Sequence, residues 1–283
     1  MHCLLFPGQG VQRRGMGAEL FGRFPEATAL ADEVLGYSIE QLCTRDPDRR
    51  LRDTRHAQPA VFFVNALLGQ QQLTEHPGRY RYFAGHSLGE YNALVAGGVL
   101  DLATGLRLVK RRAELMAEIT GGGMSAVQGV PAAFVRRALA ETGLGKVFVA
   151  NLNADTQTTI AGDRAEIAVA AKAIGALPGA RVTPINVSGP FHTPLMDPAA
   201  QRFRAVLAEY RFAEPHTPVV SSITGELFDP ASGPDLLARQ LSAPVEWTRA
   251  VLALRAAGVT DFDEVNGQTL SSLVRGITGR WVR

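Results

Sequence analysis

The sequence predicts an α/β protein with a second, smaller unit set into it. Three observations carry this. A short apolar run at residues 2–6 ends in Pro7-Gly8-Gln9-Gly10, and a second strand-like run at 79–84 ends in Gly85-His86-Ser87-Leu88-Gly89. Helical patterning resumes at Glu90 and again over 102–118, so strand, glycine turn and helix follow one another as in an α/β core. After Gly121-Gly122-Gly123 the texture changes to short strands and helices in the order βαββαβ, which is that of a ferredoxin-like unit.

The elements can be justified in order. Residues 2–6 read as a first buried strand closed by a tight glycine loop. Helical pattern follows around 16–35, and 58–76 is apolar over much of its surface, as a largely buried helix is. The strand at 79–84 leads into a helix that breaks at Gly97-Gly98. In the smaller unit, strands are expected at 124–128, 147–150, 158–161 and 181–185, with helices at 132–141 and 164–173. The chain then returns to the main body over 187–194. A helix at 193–210, a short strand at 219–220, a helix at 244–257 and a last strand at 262–265 complete it. The expected division is a large unit of residues 1–123 and 188–283 and a small one of 124–187.

Composition narrows the function classes. A chain of 283 residues, 46% hydrophobic and 20% charged, can bury a substantial core. Its 29 basic and 27 acidic side chains leave a net charge of +2, and no Lys/Arg stripe with interleaved aromatics runs through it. Nucleic-acid binding is therefore not expected. The stretch Asp46-Pro47-Asp48-Arg49-Arg50 reads as a solvated loop. Cys3 and Cys43 form neither a metal-ligand spacing nor a disulfide framework, so both read as reduced and structural in a cytoplasmic setting. Residues 1–6 are too short for a signal peptide's apolar segment, and no window reaches the length of a membrane span. No metal cluster, dinucleotide fingerprint or P-loop is present, so no cofactor is expected.

Gly85-His86-Ser87-Leu88-Gly89 has the form Gly-x-Ser-x-Gly. The glycines permit a cramped strand-to-helix turn with the serine at its apex. Two readings stand: a nucleophile, or a serine that caps the next helix. A nucleophile needs a base, and His192 is the histidine set in a segment rich in turn residues, Ser188-Gly189-Pro190-Phe191-His192-Thr193-Pro194. A surface-loop histidine is the alternative. The amides of Gly8-Gln9-Gly10 either point into a shared cleft or belong to a plain turn. Lys110, Arg111 and Arg112 follow on the helix after the serine. One of them facing inward would suit an acidic acyl group, and local pattern does not say which.

Together these segments resemble malonyl-CoA:acyl-carrier-protein transacylases and, within them, the discrete acyltransferases that serve polyketide synthases lacking built-in ones. The resemblance covers almost the whole chain. It rests on Leu5-Phe6-Pro7-Gly8-Gln9-Gly10, on Gly85-His86-Ser87-Leu88-Gly89-Glu90-Tyr91, on Arg112 within Leu108 to Met116, and on the histidine segment through Met196. It implies an α/β-hydrolase-like large subdomain with an inserted ferredoxin-like one. It implies malonyl transfer from coenzyme A to a carrier phosphopantetheine thiol by way of acyl-Ser87, with His192 as base. The amides of Gln9 and Leu88 would hold the oxyanion, and Arg112 the malonyl carboxylate. Coenzyme A is then a substrate carrier, and the partners are malonyl-CoA and a phosphopantetheinylated carrier protein. A monomer is expected.

The same resemblance places Phe191, Gln58, Glu246 and Asn266 at the border of the site. Phe191 would limit room for an α-methyl branch, and Gln58 keeps the family pattern. Glu246 stands where the family has Gln or Arg and supplies a main-chain carbonyl to the base. Asn266-Gly267-Gln268 replaces Gly-Pro-Gly, and Asn153-Ala154-Asp155 replaces Asn-Ser-Pro. The short end at Arg283 is closer to the polyketide type. Glu246 and the Asn266 loop keep one rival open, a carrier-protein hydrolase using the same serine and histidine. A non-catalytic carrier-docking protein is the third reading, and it would need neither residue.

Overall fold

The computed structural model describes residues 1–187 and 189–279. Ser188, the first residue of the histidine segment and of the second part of the expected large unit, lies outside them, as does the end at Arg283.

Strand β1 (His2–Phe6) opens the chain. Its residues alternate between two apolar clusters: Leu4 and Phe6 point to one, Cys3 and Leu5 to the other. A strand with both faces covered belongs in the middle of a parallel sheet. Helices α1 (Pro25–Leu35), α2 (Ile39–Thr44) and α3 (Thr54–Glu75) follow. The expected helix at 16–35 is shorter because Gly15 and Gly17 have positive φ and 16–23 close as turns. Strand β2 (Tyr80–Gly85), α4 (Gly89–Ala96) and α5 (Leu102–Glu118) complete the first half.

The chain then builds a second sheet. It comprises β3 (Gly122–Gln128), α6 (Ala132–Thr142), β4 (Val147–Ala154), β5 (Gln157–Asp163), α7 (Arg164–Gly175) and β6 (Arg181–Ile185). The strand order is β4-β5-β3-β6 with every neighbour antiparallel, the ferredoxin-like arrangement. Val127, Val149, Ile160 and Ile167 form its own core.

Beyond it come α8 (Asp197–Leu207), β7 (Val219–Val220), α9 (Gly233–Arg239), α10 (Trp247–Ala256), β8 (Asp261–Glu264) and α11 (Thr269–Thr278). The first sheet is ordered β7-β2-β1-β8 and is wholly parallel. Val245 pairs with β4 at the edge of the second sheet: its N–H donates to Ala150 O (2.9 Å), and Leu152 N–H donates to its carbonyl (2.8 Å). That pairing is why the helix expected from 244 begins at Trp247 instead. The helix expected from 193 begins as a 3₁₀ turn at Pro194–Met196 and becomes α-helical at Asp197.

Candidate active site

Parallel strands deliver their following loops to one edge of the sheet. Phe6 lies beside Gly85 in the register of β1 and β2, and His86 N–H donates to Phe6 O (3.0 Å). The Pro7–Gly10 loop and the Ser87 turn therefore emerge side by side. The turn is as tight as its glycines allow. A Cβ on Gly85 would sit 2.0 Å from the Gly89 backbone, and one on Gly89 would sit 1.9 Å from Phe6 O. Ser87 takes φ 53°, a left-handed conformation costly to a residue with a side chain. Helix α4 has no side-chain cap, so the capping reading of Ser87 falls. Its hydroxyl faces His192 instead.

Ser87 Oγ and His192 Nε2 are 2.7 Å apart. His192 is 5% exposed, which removes the surface-loop reading, and it too has a left-handed φ of 61°. Its backbone N–H is fixed to Leu241 O (3.0 Å). Its Nδ1 donates to Gln240 O (2.8 Å). The carbonyl that orients the imidazole thus comes from Gln240 and not from Glu246. Glu246 sits at the start of α10, where its own carbonyl accepts from Ala250 and its N–H donates to Ser222 O. Its side chain lines a different groove, with Thr248 and Arg249. The backbone at 240–241 reaches His192 because α9 ends there. Burial first, and the Arg112 charge second, push the His192 imidazole down to about 3, against the opposing effect of the Gln240 carbonyl. The ring is neutral with its proton on Nδ1, so Nε2 is free to take the Ser87 proton.

Of the three consecutive cations at 110–112 on α5, packing selects one. Lys110 donates to Val34 O and Leu35 O at the end of α1, and Arg111 pairs with Glu114. Arg112 shares the inward stripe with Leu108, Val109 and Met116 and is 1% exposed. Its Nη1 donates to Gln58 Oε1, and its Nη2 to Ser87 Oγ (3.1 Å) and Gln240 Oε1 (3.1 Å). Its Nε has no partner, and no carboxylate forms an ion pair with it among the described residues. Burial lowers its pKa. A guanidinium bonded only to neutral acceptors in a buried site can take up a carboxylate.

The Gln9 loop is tied to this cluster. Gln58 Nε2 donates to Thr54 Oγ1 (3.4 Å), which donates to Gln9 Oε1 (2.6 Å). Gly8 presses on the serine turn, where an added Cβ would lie 2.6 Å from His86 O and 3.7 Å from Leu88 N. The N–H groups of Gln9 and Leu88 have no intramolecular acceptor among the described residues.

The remaining border residues take different places. Phe191, 5% exposed, packs in the core beside the histidine, its ring against Gly189. Asn266 is buried behind the loop: its Nδ2 donates to Asn65 Oδ1 (3.1 Å), and Asn65 Nδ2 to Pro7 O (2.9 Å). It supports the Pro7–Gln9 loop from beneath and makes no hydrogen bond to Ser87, His192 or Arg112. His86 turns away from Ser87, toward Asn153 Oδ1 (2.9 Å) and the Trp247 ring.

Two residues escaped the reading of the sequence. Gln240 contributes its carbonyl to His192, its Oε1 to Arg112, and its Nε2 to Ser87 O (3.1 Å) and Glu90 Oε2 (2.6 Å). Glu90 is fully buried and also accepts from Ser222 Oγ (2.6 Å), while burial raises its carboxyl pKa. A lone carboxylate in the apolar run Gly89–Ala96 was the signal for Glu90. Gln240 had none.

Among the described residues, no helix is long and apolar enough to cross a membrane, and no group of three His, Cys, Asp or Glu could hold a metal ion. The chain is similar to the polyketide biosynthesis malonyl CoA-acyl carrier protein transacylase PksC of Bacillus subtilis, 41% identical over 98% of this chain and 97% of that protein. It is similar to the crystal structure of a malonyl CoA-acyl carrier protein transacylase from Burkholderia pseudomallei, with 40% identity, a TM-score of 0.95, and 99% and 98% of the two chains covered. It is also similar to a malonyl-transacylase solved in complex with its type II polyketide acyl-carrier protein, with 34% identity, a TM-score of 0.93, and 98% and 93% covered. The acyl transferase domain matches residues 3–266, and with a serine turn, a facing imidazole and a buried guanidinium assembled in that span, the chain belongs to the acyl transferase domain family.

Proposed function

We propose that this protein transfers a malonyl group from malonyl-CoA to the phosphopantetheine thiol of an acyl carrier protein, in polyketide assembly, through an acyl-Ser87 ester. The observation that carries the reading is Arg112, a buried guanidinium without an acidic partner, 3.1 Å from Ser87 Oγ. It suits an acyl group with a free carboxylate. The likeness to PksC over nearly the full length of both chains supports the malonyl donor and the polyketide setting. The likeness to a transacylase bound to its carrier supports the acceptor. Free, buried Cys3 and Cys43 suit the reducing cytoplasm.

The residues account for both half-reactions. Ser87 Oγ attacks the thioester carbonyl carbon as its proton passes to His192 Nε2. The carbonyl oxygen becomes an oxyanion held by the N–H groups of Gln9 and Leu88. The tetrahedral adduct collapses, the C–S bond breaks, and the leaving thiolate takes the proton from His192. The carrier thiol then gives its proton to His192 and attacks the ester, and Ser87 leaves with that proton restored. Arg112 holds the malonyl carboxylate throughout, giving up its bond to Ser87 Oγ. Phe191 beside the histidine limits space at the acyl α-carbon.

The test uses intact mass. The protein is incubated with malonyl-, methylmalonyl- or acetyl-CoA, and a holo carrier protein is then added. A malonyl adduct that forms on the wild type, is absent in Ser87→Ala, and moves to the carrier is the expected result. Release of free malonate without carrier loading would make the protein a hydrolase.

A further inference from the structure

A buried guanidinium needs a counter-charge, and Arg112 touches none: its acceptors are the amide oxygens of Gln58 and Gln240 and the Ser87 hydroxyl. A carboxylate stands one side chain further away. Gln240 Oε1 accepts from Arg112 Nη2 (3.1 Å), and Gln240 Nε2 donates to Glu90 Oε2 (2.6 Å). Glu90, the Gln240 amide and Arg112 thus form one line, with an acid at one end and a cation at the other. Glu90 and Gln240 are both 0% exposed.

The line has a fixed direction. Gln240 Nε2 donates to Ser87 O (3.1 Å) as well as to Glu90, so both amide hydrogens are used. The reversed amide would set its oxygen against a carboxyl and a carbonyl, and its NH2 against a guanidinium. Glu90 is pinned in turn by the loop after β7, where Ser222 Oγ (2.6 Å) and Ser222 N–H (3.2 Å) donate to the same Oε2. Burial raises the Glu90 carboxyl pKa, and the hydrogen bonds from Ser222 and Gln240 oppose that rise. Three donors on one oxygen suit a carboxylate, as does a place in the first turn of α4. The main chain of Gln240 is held separately. Its N–H donates to Leu236 O (2.9 Å), and the next carbonyl, Leu241 O, accepts from His192 N–H (3.0 Å). The carbonyl that orients the His192 imidazole therefore does not depend on the Gln240 amide.

We propose that Glu90 is a positioning residue for the malonyl carboxylate: by fixing the Gln240 amide it gives Arg112 a counter-charge at one remove and leaves the guanidinium open to the substrate. The inference rests on the malonyl-transfer reading above and names what tunes its acyl selectivity. A direct Glu–Arg pair would occupy the donors that malonyl needs. A guanidinium with no anion within reach would be costly to bury. An amide between the two avoids both, because it yields Arg112 to the incoming carboxylate and keeps its own bond to Glu90. Polarised from both ends, it also strengthens each hydrogen bond in the line.

The experiment measures kcat/KM for loading Ser87 from malonyl-CoA and from acetyl-CoA. It uses the wild type, Glu90→Gln, Glu90→Met, Gln240→Met and the double variant Glu90→Met/Gln240→Met, and the readout is the malonyl-over-acetyl ratio. Glu90→Gln keeps an acceptor oxygen and loses the charge, and its ratio is expected to fall about five- to tenfold. Glu90→Met loses the acceptor too, and its ratio is expected to fall about ten- to a hundredfold. Because Glu90 acts through Gln240, the double variant should match the ratio of Gln240→Met within about twofold. Acetyl loading reports that each variant is folded, and the isosteric Glu90→Gln carries the test if Glu90→Met does not fold. Equal losses for the two donors, or an unchanged ratio, would overturn the assignment. So would additive losses in the double variant, which would place the effect of Glu90 outside Gln240. A wild type that forms no malonyl-Ser87 would instead sink the transferase reading, and this assignment with it.

Discussion

Replacing Arg112 with glutamine removes a charge and keeps a polar side chain in the same buried stripe of α5. In the site the guanidinium donates hydrogen bonds to Gln58, Ser87 and Gln240, all neutral. Its loss therefore costs an acetyl substrate little more than one ordinary bond to Ser87, about 1 kcal/mol and less than about a tenfold change in rate. A malonyl substrate meets a different balance. Its carboxylate enters a site where Arg112 is 1% exposed, and without the guanidinium it is desolvated and unpaired. Truncating one partner of a buried ion pair costs about 3–5 kcal/mol. That is roughly two to three and a half orders of magnitude in kcat/KM. The assay is stopped-flow release of the coenzyme A thiol from malonyl-CoA and acetyl-CoA, with intact mass confirming the ester. The acetyl rate also reports that the site is still folded. If both substrates slow by the same factor, within about threefold, Arg112 is not the carboxylate clamp.

Three further outcomes follow from named contacts. Because the folded His192 imidazole lies at about 3, below the ordinary 6.5, its neutral form persists as the pH falls. The kcat/KM for malonyl loading should stay level from pH 7.5 to 5, and a half-maximal point at 6.5 would contradict this. The unfolded state takes up that proton first, so the stability this group contributes is full above 6.5 and declines as pH falls toward 3. Thermal melts of the wild type and His192→Gln across that window would read the difference. Gly8→Ala puts a methyl carbon 2.6 Å from His86 O, so backbone must shift and the Gln9 amide is displaced; kcat should fall about a hundredfold, with a lowered melting midpoint. An unaltered kcat would remove that amide from the oxyanion site. Asn266→Leu strips Asn65 Oδ1 of its donor and should cost about 1–3 kcal/mol in urea unfolding; a change below about 0.5 kcal/mol would mean the Asn65 side chain repartners.

Short-range chemistry made part of the site legible in the sequence. The turn at Ser87 is recognisable because two glycines must stand where an added Cβ would lie within 2.0 Å of neighbouring backbone, and that constraint is written in five consecutive residues. The short helices α2, α9 and α11 were not legible, since six to ten residues give little periodicity to read. Helix α10 starts later than its pattern because Val245 is used by the second sheet.

What the sequence by itself determined is the α/β order, the ferredoxin-like strand sequence and the residue types of the site: a serine on a glycine turn, a histidine in a loop, and cations on the helix over 102–118. Only the tertiary structure decided which partners meet. Choosing Arg112 over Lys110 and Arg111 depends on which side of α5 the rest of the chain covers. Assigning the His192 carbonyl to Gln240 and not Glu246 depends on where α9 ends against a loop 48 residues away in the chain. A main-chain carbonyl is the same in every residue, so no side-chain pattern can mark the one that matters.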